Sequence, residues 1–233
     1  MNEEKLIELA SIVVIGIGSQ WLAWKLRFPS ILFFLVLGFV AGIDLDAETY
    51  RDFFLKQSQG AWHLAAARGI SQDRLVALRE ARNVLYSRLL QEADITIPGV
   101  APVLQNLTQR FSMGVVTTSH RDHFEIIHRR TAFLPLFDFV LVREDYGQSK
   151  PNPEPYLKAL QMSGYPPASC LVIEDSERGL MAAKAAGLAC WVIPTDLSRA
   201  GDFSAADKVL EHISQVPLHL AEMARGGKSS FNA

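Results

Sequence analysis

Short apolar runs that each end in polar residues and lead into a helix-length segment constrain this chain most. The runs are Met113 to Thr117, Phe139 to Val142, Leu171 to Glu174 and Ala189 to Ile193. Helices are predicted between and after them, over Ala101 to Arg110, Asp122 to Arg130, Pro153 to Ser163 and Arg178 to Ala186. A short strand near Lys208 to Leu210 precedes a last helix. Parallel strands need crossover connections of about this length, so the alternation predicts an α/β fold of the doubly wound, Rossmann type with helices on both faces of a parallel sheet. Sites in such sheets form at the carboxyl ends of the strands.

Polar groups gather at those ends. In Leu171 to Gly179, LVIEDSERG, two carboxylates stand at a strand tip just before a helix. Glu174 and Asp175 can hold a hard cation such as Mg²⁺ there, or they can simply cap the helix. In Val115-Val116-Thr117-Thr118-Ser119, a hydroxyl and the following N–H groups at a strand-to-helix turn can hold a phosphate oxygen. In Gly147 to Pro153, Lys150 stands between a serine and prolines before a helix, where an ammonium can neutralise a phosphoryl group. Each residue alone has an ordinary structural reading; the ordered set is far more specific.

Composition divides the chain. Leu6 to Trp24 is almost wholly apolar, and Ser30 to Ile43 carries no charge. The first run has the length of a membrane-spanning helix, and the second is re-entrant, interfacial or buried. Residues 6–43 are therefore expected to form an apolar helical hairpin associated with a membrane, the alternative being buried core elements. After Asp44 the composition is that of an ordinary soluble domain, and the net charge of −2 excludes a nucleic-acid footprint. Cys170 and Cys190 begin apolar runs and read as buried free thiols. His120, His123 and His128 have a spacing that suggests a metal, but no matching cluster accompanies them, and they read as solvated helix-face residues.

On VVTTS, GQSKPNPEPY and LVIEDSERG the chain resembles the haloacid dehalogenase superfamily, in its β-phosphoglucomutase-like and phosphoglycolate-phosphatase-like branch, from about Ile43 to Leu220. The resemblance implies an Mg²⁺-dependent phosphohydrolase or phosphomutase acting on a small phosphorylated metabolite. It assigns Thr117 and Lys150 to catalysis, Thr117, Thr118 and Lys150 to the phosphate, and Glu174 and Asp175 to the metal. It implies domains at 44–96, a partial helical cap, and 97–222, the α/β core, with the apolar segment over 1–43 before them and a disordered tail over 223–233. Residues 8–42 resemble instead the first helix and part of the second of bacterial sodium/proton antiporters. The acidic residues that carry ions in those transporters lie in later helices, so transport is not expected.

Members of the phosphatase family open with a strand ending in Asp-x-Asp-Gly, whose first Asp is the nucleophile and whose second is the general acid/base. That motif is not found, and the central strand it belongs to is expected to be replaced. Asp44-Leu45-Asp46 has the spacing, following Ile31 to Val40, but Ala47-Glu48 replaces the Gly turn. Three readings stay open: an impaired or inactive phosphatase that binds Mg²⁺ weakly, a membrane-tethered protein that binds phosphate ligands without turnover, or a chimeric chain joined near Gly42–Ile43 with no settled function. Without membrane insertion, the expected location is the cytoplasm.

Overall fold

The computed structural model describes residues 13–15, 62–92, 96–129, 131–196 and 198–226. The chain order is β1 (Val13–Ile15), α1 (Trp62–Ala67), α2 (Gln72–Glu92), α3 (Val100–Thr108), β2 (Met113–Val116), α4 (Arg121–His128) and β3 (Phe139–Leu141). It continues with α5 (Glu154–Ser163), β4 (Leu171–Glu174), α6 (Glu177–Ala185), β5 (Ala189–Val192), β6 (Lys208–Val209) and α7 (Val216–Gly226). The strands form one parallel sheet in the order β3-β2-β1-β4-β5-β6. The predicted strands and helices after residue 97 are all present. The last helix runs to Gly226, past the boundary at residue 222 expected for the tail.

The centre of the sheet corrects the reading of the N-terminus. Val13, Val14 and Ile15 pair on one side with Met113, Gly114 and Val115, and on the other with Leu171, Val172 and Ile173. The central slot is thus filled, and by residues inside the run expected to be a membrane helix. Three consecutive β-branched residues favour the extended backbone, and the inward-facing ladders of β2 and β4 both need partners for buried N–H and C=O groups. Among the described residues no helix is long and apolar enough to cross a membrane. The described part of residues 6–43, Val13–Ile15, is a strand and not part of a helical hairpin, and the rest of that segment lies outside the described residues. The second apolar run, Asp44, Asp46 and the expected join near Gly42–Ile43 lie outside the described residues.

Apolar layers cover both faces. On one, Val116, Leu141, Val172, Cys190 and Val192 pack with Tyr156 and Ala159 of α5 and Leu180, Ala182 and Ala183 of α6. On the other, Met113, Leu171, Ile173 and Trp191 pack with Val103, Leu104 and Leu107 of α3 and with Val216 and Leu220 of α7. Each buried aliphatic side chain contributes about 1.5–3 kcal/mol by leaving water. Cys170 and Cys190 are buried and free, as expected. Gly114 has a specific cause: a Cβ there would lie 2.2 Å from the Phe139 ring of the neighbouring strand.

The helix after β2 departs from expectation. His120 is exposed and its Nδ1 lies 2.6 Å from Glu144, but His123 and His128 are buried. His123 sits edge-on to Tyr86 of α2, and His128 stacks near Phe124 and pairs through Nδ1 with the Thr131 hydroxyl at 3.0 Å. Contact between α2 and α4 covers a face that sequence pattern alone reads as solvated.

Candidate functional site

Three strand ends meet at the carboxyl edge. At the end of β2, the Thr117 N–H continues the ladder to the Leu141 carbonyl at 2.9 Å. The Thr117 hydroxyl oxygen then accepts the Ser119 N–H at 3.1 Å, which bends the chain into a tight turn at the start of α4. Thr117 and Ser119 are buried, and Thr118 is partly exposed at the edge. The buried Arg178 of α6 approaches Thr118, with Nη2 3.5 Å from its hydroxyl.

Lys150 lies on the loop after β3. Glu154, in the first turn of α5, closes that loop by accepting the N–H groups of Gly147 at 2.6 Å and Gln148 at 2.7 Å. Asn152 adds a cap by accepting the Glu154 N–H at 2.9 Å. The loop turns Lys150 inward, leaving it 4% exposed. Its ammonium donates to the Val116 carbonyl at 3.0 Å and to Glu174 Oε1 at 2.5 Å, and it lies 4.7 Å from the Tyr156 ring centre.

Glu174, at the tip of β4, is 2% exposed and fully engaged. Oε1 also accepts the Tyr156 hydroxyl, and Oε2 accepts the Asp175 N–H at 3.2 Å and the Ser176 hydroxyl at 3.3 Å. Burial, then the Glu174 charge, raises the Tyr156 phenol far above its ordinary range, so it stays a donor. Gly179 belongs to the same arrangement, since a Cβ there would lie 2.0 Å from Glu174 Oε2. Ser176 caps α6 by accepting the Gly179 N–H at 3.3 Å. Desolvation, reinforced by the Glu174 charge, pushes the Asp175 carboxyl up to about 7 against the opposing pull of Lys150 and Arg178.

The fold thus gathers all the expected residues, Thr117, Thr118, Lys150, Glu174 and Asp175, at one edge. It uses two of them against each other, since the Lys150 charge is directed onto Glu174. Sequence reading missed Tyr156, Tyr146, Arg178 and Gly179. Tyr156 was the most accessible, because a tyrosine on the buried face of a helix needs a partner for its hydroxyl. The donor set fits Mg²⁺ poorly: a hard cation takes about six oxygen ligands, and both Glu174 oxygens are already engaged. No group of three His, Cys, Asp or Glu among the described residues is arranged to hold a metal.

A parallel sheet in this strand order, with hydroxyl, ammonium and carboxylates at successive tips, defines a phosphoryl-transfer type of α/β core. Residues 56–193 match the haloacid dehalogenase-like hydrolase family, and the chain belongs to it. It is 32% identical over 170 residues to the protein CbbY of Rhodobacter capsulatus, covering 69% of this chain and 74% of that one. It is also 32% identical over 178 residues to the validoxylamine A 7'-phosphate phosphatase of Streptomyces hygroscopicus subsp. limoneus, covering 75% and 82%. The fold superposes on the crystal structure of CbbY from Rhodobacter sphaeroides in complex with phosphate with a TM-score of 0.70. That pair shares 24% identity, over 88% of this chain and 96% of the other. Phosphatases of this family generally use Mg²⁺.

Proposed function

We propose that this chain holds a small phosphorylated metabolite through Thr117, Thr118 and Lys150, and that its hydrolytic turnover is strongly impaired. One observation carries the reading. The described part of the central strand, Val13–Ile15, lies opposite Met113 to Val115 and Leu171 to Ile173, and in sequence it is followed by Gly16-Ile17-Gly18. Family members place Asp-x-Asp directly after this strand. In this reading the two carboxylates of that motif are missing, because Gly16-Ile17-Gly18 carries no acidic side chain. Loss of the nucleophile from a covalent mechanism costs on the order of 10⁶ in turnover, leaving binding and electrostatics.

The ligand class is supported by the relatives. One is named for a phosphatase acting on validoxylamine A 7'-phosphate, and CbbY from Rhodobacter sphaeroides has been crystallised with xylulose-(1,5)bisphosphate. A cavity of about 470 Å³ lined by Asn83 of α2 and by His120, Arg121, Asp122 and His123 offers polar groups to a hydroxylated ligand. In this reading the helices α1 and α2 are the remaining part of a cap within 44–96, over a core spanning 97–222. Asp175 would be the principal carboxylate facing Mg²⁺, with Glu174 engaged by Lys150 and Tyr156, so Mg²⁺ binding is expected to be weak.

The test is hydrolysis of p-nitrophenyl phosphate with Mg²⁺ by the full chain and by the variant Gly16→Asp/Gly18→Asp. The unmodified chain is expected to stay near background and the double variant to gain activity. Robust turnover by the unmodified chain that disappears in Asp175→Ala would overturn the reading. If that turnover disappeared instead in Asp44→Asn or Asp46→Asn, the nucleophile would lie in Asp44-Leu45-Asp46.

A further inference from the structure

Two loops carry the proposed phosphate groups: the turn after β2, residues 117–121, and the loop after β3, residues 143–150. They are tied to one another by bonds whose donors, Arg143 and Tyr146, lie outside VVTTS and GQSKPNPEPY. The Arg143 N–H donates to the Ser119 carbonyl at 2.9 Å. The Tyr146 hydroxyl donates to the Thr117 carbonyl at 2.7 Å, a contact between buried groups far apart in sequence. Farther out, Arg121 Nη2 meets both Asp145 carboxylate oxygens at 2.7 and 2.9 Å, and Glu144 accepts the Arg121 N–H at 3.1 Å.

Tyr146 is the inner member of this strap. It is 5% exposed, and burial holds its phenol well above the ordinary range, so it remains a donor at every working pH. Its own placement is set by Arg143, whose Nη1 donates to the Tyr146 carbonyl at 2.9 Å and whose guanidinium lies 5.5 Å from the ring centre. The Thr117 carbonyl belongs to the same peptide unit as the Thr118 N–H. A donor fixed on that oxygen sets the plane of the peptide, and with it the direction in which the Thr118 N–H points at the sheet edge. The opposite end of the turn is held by the Thr117 hydroxyl on the Ser119 N–H.

We propose that Tyr146 is a positioning residue for the anion-binding turn: by holding the Thr117 carbonyl, it aims the Thr118 N–H at the phosphate, while the Ser119 N–H stays on the Thr117 hydroxyl. The inference rests on the phosphate reading above. Without the hydroxyl, the Thr117 carbonyl has lost a buried donor and the turn can sample other peptide orientations. Tyr146→Phe keeps the ring, and hence the Arg143 contact, while removing only the hydroxyl.

The test combines two measurements on the full chain. The first is amide hydrogen exchange of Thr118 and Ser119 in ligand-free Tyr146→Phe. The second is calorimetric titration with inorganic phosphate. Thr118 and Ser119 are expected to exchange faster in the variant, with helices α3 and α7 unchanged, and phosphate Kd is expected to rise about five- to tenfold, the loss equivalent to one hydrogen bond. Unchanged exchange at both residues overturns the inference whether or not phosphate binds. Exchange that rises equally across the whole core also overturns it, because the hydroxyl is then merely structural. Equal phosphate affinity in the two proteins likewise overturns it. Faster local exchange with no phosphate binding even by the unmodified chain leaves the strap intact as a device that orders the turn, and removes the phosphate reading instead.

Discussion

Replacing Lys150 by methionine isolates the contact on which the site is built. The side chains of Lys150 and Glu174 are 5% and 1% exposed, and their charged atoms lie 2.5 Å apart. Methionine keeps most of the aliphatic stem and removes the ammonium. Glu174 then stays buried with its Tyr156, Ser176 and Asp175 donors but without a counter-charge, and the Val116 carbonyl loses its donor as well. Removing one partner of a buried pair costs about 3–5 kcal/mol, mostly as the penalty on the charge left behind. For a chain of this size that lowers the thermal midpoint by about 6–20 °C. The companion variant Lys150→Met/Glu174→Gln removes both charges and is expected to be more stable than Lys150→Met alone. Urea unfolding at pH 7 of the unmodified chain, both single variants and the double variant gives the coupling energy. A value of about 1–3 kcal/mol is expected for groups in contact. Additive losses, with no coupling above about 0.5 kcal/mol, would refute the assignment of Lys150 to Glu174 as a coupled buried pair.

Two further outcomes follow from the packing. Burial lowers the His128 pKa from 6.5 to about 4, so the imidazole's contribution to stability is full above about pH 6.5 and is lost as the pH falls toward 4. The whole effect is about 3 kcal/mol, of which about 2 is expressed by pH 5. Urea unfolding at pH 7.5 and pH 5 should therefore show a smaller acid loss in His128→Leu than in the unmodified chain, and equal losses would contradict the neutral buried imidazole. Gly179→Ala places a methyl group 2.0 Å from the Glu174 carboxylate, and overpacking of this kind costs about 1–3 kcal/mol. The same substitution at Gly187, which has open space but a left-handed φ of 75°, serves as a comparison for backbone strain alone.

Most of the core was legible because its signals are local. The strands of the sheet after residue 97 are short apolar runs bounded by turn residues, and their positions follow from period and punctuation. Leu171 to Glu174 forms the strand predicted for it. The convergence of Thr117, Lys150 and Glu174–Asp175 at one edge also followed, since parallel strands point their carboxyl ends the same way.

What sequence determined by itself was the layered α/β architecture, the family, and which residues stand at the strand tips. Tertiary structure alone decided the rest. Val13-Val14-Ile15 sits in a long apolar run whose pattern suits a helix as well as a strand, and only the unpaired ladders of β2 and β4 select the extended form. His123 and His128 are buried because α2 and other neighbours cover a helix face that looks solvated in isolation. Lys150 turns onto Glu174, and Tyr146 onto the Thr117 carbonyl, because loops distant in sequence are packed edge to edge. Such contacts depend on which groups remain unsatisfied after the sheet has formed, and a single strand or helix carries no record of that.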